Sequence, residues 1–243
     1  MQNFIGYINM EIQDSKQLIL DSKNIYLIAS EEPEAIAATL ALFYTLKDLG
    51  KNVNLLMDTL PENLSFLAPS LDFISYPKNF VISVPNNVAK ISQIYYEKND
   101  EALKVHLTLE NGNIKKDNIA FYFSEAKPDL IITIGIKDYA KELSDKLNSF
   151  GFLLDSPILN IDNGQNNEKF GKINLLEDRP LAETIAGLSE NIRKECASCL
   201  LTSLIIYTEN FKNKLTAEVF QLASDLMKKE ADLKIITDNI KLN

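Results

Sequence analysis

Histidine occurs once, cysteine twice and glycine eight times in 243 residues, and no two glycines are adjacent. No apolar run approaches the roughly twenty residues that a membrane-spanning helix needs. The opening MQNFIGYINMEIQDSKQ lacks a basic stretch ahead of an apolar core, so no signal peptide and no membrane partner are expected, and the chain reads as cytoplasmic. Positive charge is also scarce, with 25 Lys and Arg against 34 Asp and Glu and a net charge of −9. Extensive nucleic-acid binding is therefore not expected, because a broad grip on phosphates comes from clustered Lys and Arg.

The rare residues carry little chemistry of their own. Cys196 and Cys199 form a Cys-x-x-Cys, which points to zinc or redox chemistry only beside a second pair or in a thioredoxin-like setting, and neither is present. At helical spacing they share a face with Leu200 and Ser203, so both are expected in the core as reduced thiols. His106 alternates with Val105 and Leu107 in a strand pattern and so points away from their face; a lone exposed imidazole is no metal centre.

What is present is an ordinary globular composition, 46% apolar, ample for a sizeable core. Ile25 to Ala29 is an apolar run that breaks into an acidic loop. Pro33 then opens an amphipathic pattern that stops at Gly50, and Lys51 to Met57 supplies the next strand. Strands at Leu130 to Ile134 and Ile158 to Asp162 flank a helix at Tyr139 to Ser149, and a further helix covers Gln13 to Asp21. Alternating units of this kind predict an α/β fold with a mainly parallel sheet flanked by helices. The last third reads as helices at Pro180 to Arg193, Glu195 to Phe211, Thr216 to Lys229 and Asp232 to Ile240. Glu31, Glu32 and Glu34 are expected to serve the first turn of the helix that Pro33 opens, where the macrodipole favours carboxylates.

Between about residues 79 and 123 the period changes from helical to alternating. Phe80 to Val84, Ile91 to Tyr96, Leu103 to Leu109 and Ile119 to Phe123 read as an antiparallel meander. Asn99-Asp100 and Glu110-Asn111-Gly112-Asn113 supply the turns. Such strands bury one face only and leave the other, with its edges, to a partner.

Particular residues in this frame carry a resemblance. Pro33, the helix end Leu49-Gly50-Lys51, the segment Pro61-Glu62-Asn63-Leu64-Ser65-Phe66-Leu67, the strand Asp129 to Ile134, and Ile158 to Asp162 followed by Asn167-Glu168-Lys169-Phe170-Gly171-Lys172-Ile173-Asn174-Leu175 are similar in order and spacing to the DHH phosphoesterase family. The resemblance covers roughly residues 10 to 240 and implies a single DHH-like domain over 1–243 with the β-rich segment as an insertion, as in some bacterial relatives. It stops before the family's Gly-rich, His-containing C-terminal domain, which is expected to be absent.

The family's metal ligands do not follow the frame. Ser30 stands at the position of the first loop's His, Glu34 at its first Asp, and Ile36 at its second. Gly135 replaces the Asp that ends the next buried strand. Asp162 survives, but Asn163 and Gly164 occupy the two His positions after it, and Tyr207 occupies a later Asp. Family members hold Mn2+ or Mg2+ with converging hard ligands, and the ions activate a bridging water and clamp the phosphate. Only Glu34 and Asp162 could still coordinate, so no metal or other cofactor is expected. Tyr207 is expected to fill space that the ions would occupy, and Pro180-Leu181 ahead of Glu183 removes two hydroxyls from the cleft.

The reading that follows is a DHH-like pseudoenzyme, a binding or scaffold protein with a protein partner or a second copy of itself. Two alternatives stand beside it. One is a phosphoesterase acting on nucleotides or short oligonucleotides with Mn2+ or Mg2+; the other is a regulatory module that binds a nucleotide without cleaving it.

Overall fold

The computed structural model describes residues 2–56, 60–68, 78–125, 127–148 and 156–240. Two compact units emerge: 1–77 with 127–243, and 78–126.

The larger unit is built on a parallel sheet. Its strands are β1 (Asn24–Ala29), β2 (Asn52–Leu56), β7 (Leu130–Ile134), β8 (Ile158–Asp162) and β9 (Ile173–Leu176), in the order β2-β1-β7-β8-β9. Register is continuous across the centre, with Leu27 opposite Leu55 and Ile132, Ile132 opposite Leu159, and Ile161 opposite Leu175. Alternation sends Ile25, Leu27 and Ala29 into one apolar cluster and Tyr26 and Ile28 into another, so both faces of β1 are buried. That is why these strands are apolar without interruption. Asp129 ties two strand starts together, its Oδ2 accepting the N–H groups of Lys23 and Asn24 at 2.9 and 2.8 Å.

Helix α2 (Pro33–Asp48) starts at a proline and ends where Gly50 takes φ +71°, with Gly50 N–H donating to Lys47 O and Lys51 N–H to Leu46 O. These bonds satisfy carbonyls that the helix would leave open. The first cluster joins α2 to α4 (Leu181–Leu188) and α5 (Lys194–Tyr207), while Leu143 of α3 (Tyr139–Asn148) packs in the second. Each fully buried Leu or Ile in such a core contributes roughly 1.5–3 kcal/mol relative to exposure. Thr216 and Asp232 cap α6 (Ala217–Lys228) and α7 (Leu233–Asn239), each accepting a backbone N–H.

Several boundaries differ from the sequence reading. Helix α1 runs Gln2–Asp21 and begins well before Gln13, because Gly6 disguises its first turns as a non-helical stretch. Helix α5 stops at Tyr207 and not at Phe211, since Glu209, Asn210 and Phe211 all adopt positive φ without a Gly or Pro to announce it. Helix α4 ends at Leu188, short of Arg193. The expected ends at Met57 and Ser149 lie outside the described residues.

The smaller unit is antiparallel, but its strands pair as nested hairpins. β4 (Ala89–Lys98) pairs with β5 (Leu103–Gly112), and β3 (Lys78–Ser83) pairs with β6 (Ala120–Glu125). A meander would pair each strand with its neighbour in sequence. Only the β4–β5 link is tight: Asn99 N–H donates to Ala102 O at 3.1 Å, and Asn99 Oδ1 accepts from Glu101 and Ala102 N–H. The second expected turn is instead strand, for Gly112 lies in the ladder opposite Ala89.

Candidate functional site

In an open parallel sheet, ligands bind beyond the carboxyl ends of the strands where the strand order reverses, here between β1 and β7. Ser30 and Gly135 follow those two strands directly. Ser30 N–H donates to Ile134 O at 2.9 Å and Gly135 N–H to Ile161 O at 2.8 Å, so the ladder holds both residues at the rim.

Gly135 has φ +72°, and a Cβ placed on it would lie 2.7 Å from Ser30 Oγ and 2.8 Å from Ala35 Cβ. The space beside β7 is therefore already taken by the first loop. Ser30 Oγ is buried there with no hydrogen-bond partner among the described residues.

Glu34 sits in the first turn of α2, and its carboxylate hydrogen-bonds to other elements. Oε1 accepts Leu181 N–H from the start of α4 at 3.0 Å, and Asn163 Nδ2 donates to Oε1 at 3.0 Å and Oε2 at 3.3 Å. Glu34 thus keeps its expected place in the first turn and takes on further partners, because the chain bends back far enough to bring α4 and the loop after β8 against it. Glu31 and Glu32 remain exposed, and the N-cap Glu32 makes no side-chain capping bond. Burial pushes the Glu34 carboxyl up from its ordinary value, opposed by the Leu181 and Asn163 bonds and by Lys214, and aided by Asp162.

Asp162 is 3% exposed at the end of β8. Its Oδ1 accepts Asn163 N–H at 2.9 Å and its Oδ2 accepts Asn167 Nδ2 at 3.0 Å. Gly164 lies beside it, where an added Cβ would come 3.2 Å from Asp162 Oδ2 and 3.1 Å from Lys137 Nζ.

Asparagines carry this loop. Asn160, fully buried on β8, donates from Nδ2 to Asn167 Oδ1 at 2.8 Å and accepts Thr133 Oγ1 at 3.0 Å; Asn167 Nδ2 also donates to Ile136 O at 2.8 Å. Asn174 holds Gly171 through both its amide groups. Asn167 and Asn174 entered the sequence reading only as motif positions, and Asn160 was not singled out, although a polar residue inside the apolar run Ile158 to Ile161 was the available signal.

Tyr207, at the last turn of α5, is half-buried, and Lys214 Nζ lies 4.3 Å from its ring centroid. Burial, then the charges of Asp178, Glu34 and Glu183, push its hydroxyl up from the ordinary value. Tyr207 thus shares one electrostatic neighbourhood with Glu34. Glu183, half-buried, is also shifted upward, by burial first.

Ile36 stands apart. At 4% exposure it packs in the main apolar cluster with Leu40 and Phe43, one and two turns along the same helical face. The rim therefore brings together Ser30 with Gly135, and Glu34 with Asn163, Asp162 and Gly164, while Ile36 belongs to the core. Cys196 and Cys199 are free and buried, and His106 is half-buried with its ring stacked on Tyr95 at 4.6 Å.

Among the described residues no group of three or more His, Cys, Asp or Glu side chains is arranged to hold a metal ion. Among the same residues, no helix is long and apolar enough to cross a membrane.

No family model and no curated protein matches this chain. The solved structure of an exopolyphosphatase-related protein from Bacteroides fragilis does, with a TM-score of 0.66 at 16% sequence identity. The likeness is one of fold. It covers 97% of this chain, which spans 61% of that protein's length.

Proposed function

We propose that this chain is a phosphoesterase-like protein of the DHH kind that acts by binding, as a scaffold or partner subunit, and not by two-metal hydrolysis. The observation that carries the reading is the bond between Asn163 and Glu34. In the resemblance these positions belong to a metal-binding His and Asp, which would both point lone pairs at a cation. Here an amide N–H donates to the carboxylate, so a neutral donor takes the place of the charge.

The surviving donor set does not fit a pair of divalent ions. Such ions need several converging hard ligands. Glu34 and Asp162 each accept two donors already, Gly135 has no side chain, Ser30 Oγ is enclosed, and Ile36 faces the core. The kinship to phosphoesterases rests on the resemblance of motifs together with the fold shared with the exopolyphosphatase-related protein.

A second reading, a phosphate or nucleotide held in the cleft without cleavage, is favoured by one observation, the unpartnered Ser30 hydroxyl at the switch point beside Gly135. Assay with Mn2+ on bis-p-nitrophenyl phosphate and on a dinucleotide tests the first reading. No turnover is expected, and metal-dependent hydrolysis lost in Asp162→Asn would overturn it. Thermal shift with a nucleotide panel tests the second, since a ligand that binds only the folded state raises the melting temperature.

A further inference from the structure

The β4–β5 hairpin exposes several large apolar side chains. Strand alternation puts Leu103, Val105, Leu107 and Leu109 on one face, with Ile94 opposite Leu107 and Tyr96 opposite Val105. Leu103 is 63% exposed, Ile94 69% and Tyr96 72%. A lone two-stranded hairpin is marginal, and further strands are what stabilise one.

The outer edge of β5 is where strands can be added. Among the described residues β5 pairs only with β4. The turn determines which backbone groups face that edge. Asn99 N–H donates to Ala102 O, so the hydrogen-bonded positions of the hairpin ladder fall, two by two, at Lys104, His106 and Thr108. Leu103, Val105 and Leu107 therefore turn their N–H and C=O groups outward; beyond Thr108 the ladder shifts register, Leu109 pairing with Ile91 and Asn111 with Lys90, so Leu109 closes the regular stretch and Glu110 is an extra residue on β5. Ser92 Oγ, reaching from β4 to Thr108 O at 3.1 Å, agrees with that parity. The edge runs over ten residues without a proline, and its charges are Lys104 and Glu110 alone. Prolines, repeated lysines and bulges are the usual guards of an exposed edge, and the register shifts of this hairpin lie at its end away from the turn, leaving Leu103 to Thr108 regular.

We propose that β5 pairs antiparallel with β5 of a second copy of this chain, about a twofold axis at Leu107, to give a four-stranded sheet β4-β5-β5-β4. This register sets Val105 opposite Leu109, His106 opposite Thr108, and Lys104 opposite Glu110 of the other copy. Outward backbone groups from Val105 to Leu109 are matched, apolar side chains meet apolar ones, and both charges of the edge face their opposites twice over. Moving the axis by one residue sets Lys104 opposite Thr108 or Gly112 and loses both ion pairs. Glu110 already holds Lys90 at 2.8 Å in its own hairpin, so the second lysine joins a carboxylate ordered by the first. Edge pairing of this length buries less than the roughly 1,200–2,000 Å² of a standard interface, so the dimer is concentration-dependent.

Sedimentation velocity on the full chain over a concentration series tests this. A reversible monomer–dimer equilibrium is expected. Because position 107 meets itself across the axis, Leu107→Lys and Leu107→Glu should each weaken dimerisation by about tenfold or more through like-charge contact, and an equimolar mixture of the two should restore it. Lys104→Glu should weaken it likewise, and adding Glu110→Lys in the same chain should recover it. Far-UV circular dichroism and thermal melts check that each variant keeps the fold. Wild-type protein that stays monomeric throughout, a dimer indifferent to Leu107→Lys and Lys104→Glu, or a Leu107 mixture that fails to associate would each overturn the proposal.

Discussion

Asn163 donates one side-chain amide to both oxygens of Glu34, across 129 residues of sequence, at 3.0 and 3.3 Å. With Leu181 N–H on the same carboxylate, the first turn of α2, the loop after β8 and the start of α4 meet at one group. That group is held by neutral donors and partly shielded from water, so its ionised form is disfavoured by burial.

The pH dependence of stability follows from that shift. A carboxyl whose folded pKa is raised contributes stability that is fully present below the unfolded value, about 4.3 for Glu, and is lost as pH climbs through the folded value. Glu34→Gln keeps an oxygen to accept Leu181 N–H and Asn163 Nδ2 while removing the charge. Its melting temperature relative to wild type should therefore rise with pH from about 4.3 upward, with a stability change within about 1 kcal/mol. Melts at a series of pH values check this, and a difference that falls with pH would contradict it. Glu34→Ala leaves both donors unsatisfied and should cost about 1–3 kcal/mol.

The buried asparagine network makes a second measurable claim. Asn160, 0% exposed, is linked to Thr133 and Asn167. Asn160→Ala should destabilise by about 1–3 kcal/mol, because the hydroxyl of Thr133, itself 0% exposed, loses its acceptor. In a double-mutant cycle of Asn160→Ala with Thr133→Val, chemical denaturation should return a coupling of about 0.5 kcal/mol or more, as expected for groups in one network.

Much of the larger unit is legible in the chain, for identifiable reasons. β1, β7 and β8 are buried on both faces and so read as unbroken apolar runs, and α2 is bracketed by Pro33 and Gly50. Four-residue β9 was legible only as part of a motif. The nested pairing of β3 to β6 was hidden because alternation defines a strand and its faces but not its partner. At the rim, positions could be placed by spacing, but the Glu34–Asn163 bond joins two distant loops. Ile36 shows the limit of placement by motif, since helical period sets it on the face of Leu40 and Phe43.

Thiol chemistry should be silent in the native protein. Burial pushes Cys196 up to about 11, partly offset by its contact with Thr45, and pushes Cys199 well above its ordinary value. The reactive thiolate is thus nearly absent near pH 8. An Ellman titration there should show no prompt labelling, and two thiols should react once denaturant unfolds the chain. Prompt labelling of either cysteine in the native state would contradict the packing of α5.

Gly135 decides whether the rim can take a further carboxylate. Its φ of +72° is a conformation that side-chain-bearing residues seldom adopt, and Ser30 Oγ and Ala35 Cβ already occupy the place of its missing Cβ at 2.7 and 2.8 Å. Ala35 does not yield readily, being buried in the first turn of α2, and the bond from Ser30 N–H to Ile134 O holds the backbone that carries Oγ, which can move only by rotation about its own Cα–Cβ bond. Gly135→Ala should therefore destabilise by about 1–3 kcal/mol, from backbone strain and overpacking together. Gly135→Asp adds a carboxylate to the same conflict and should destabilise at least as much, with no gain in Mn2+ affinity by calorimetry. Relief should come from the first loop: Ser30→Gly combined with Gly135→Ala removes the nearer of the two obstacles and should recover part of the loss in a thermal melt. A Gly135→Asp variant as stable as wild type that bound Mn2+ would contradict the close approach of Ser30 and Ala35 to this glycine.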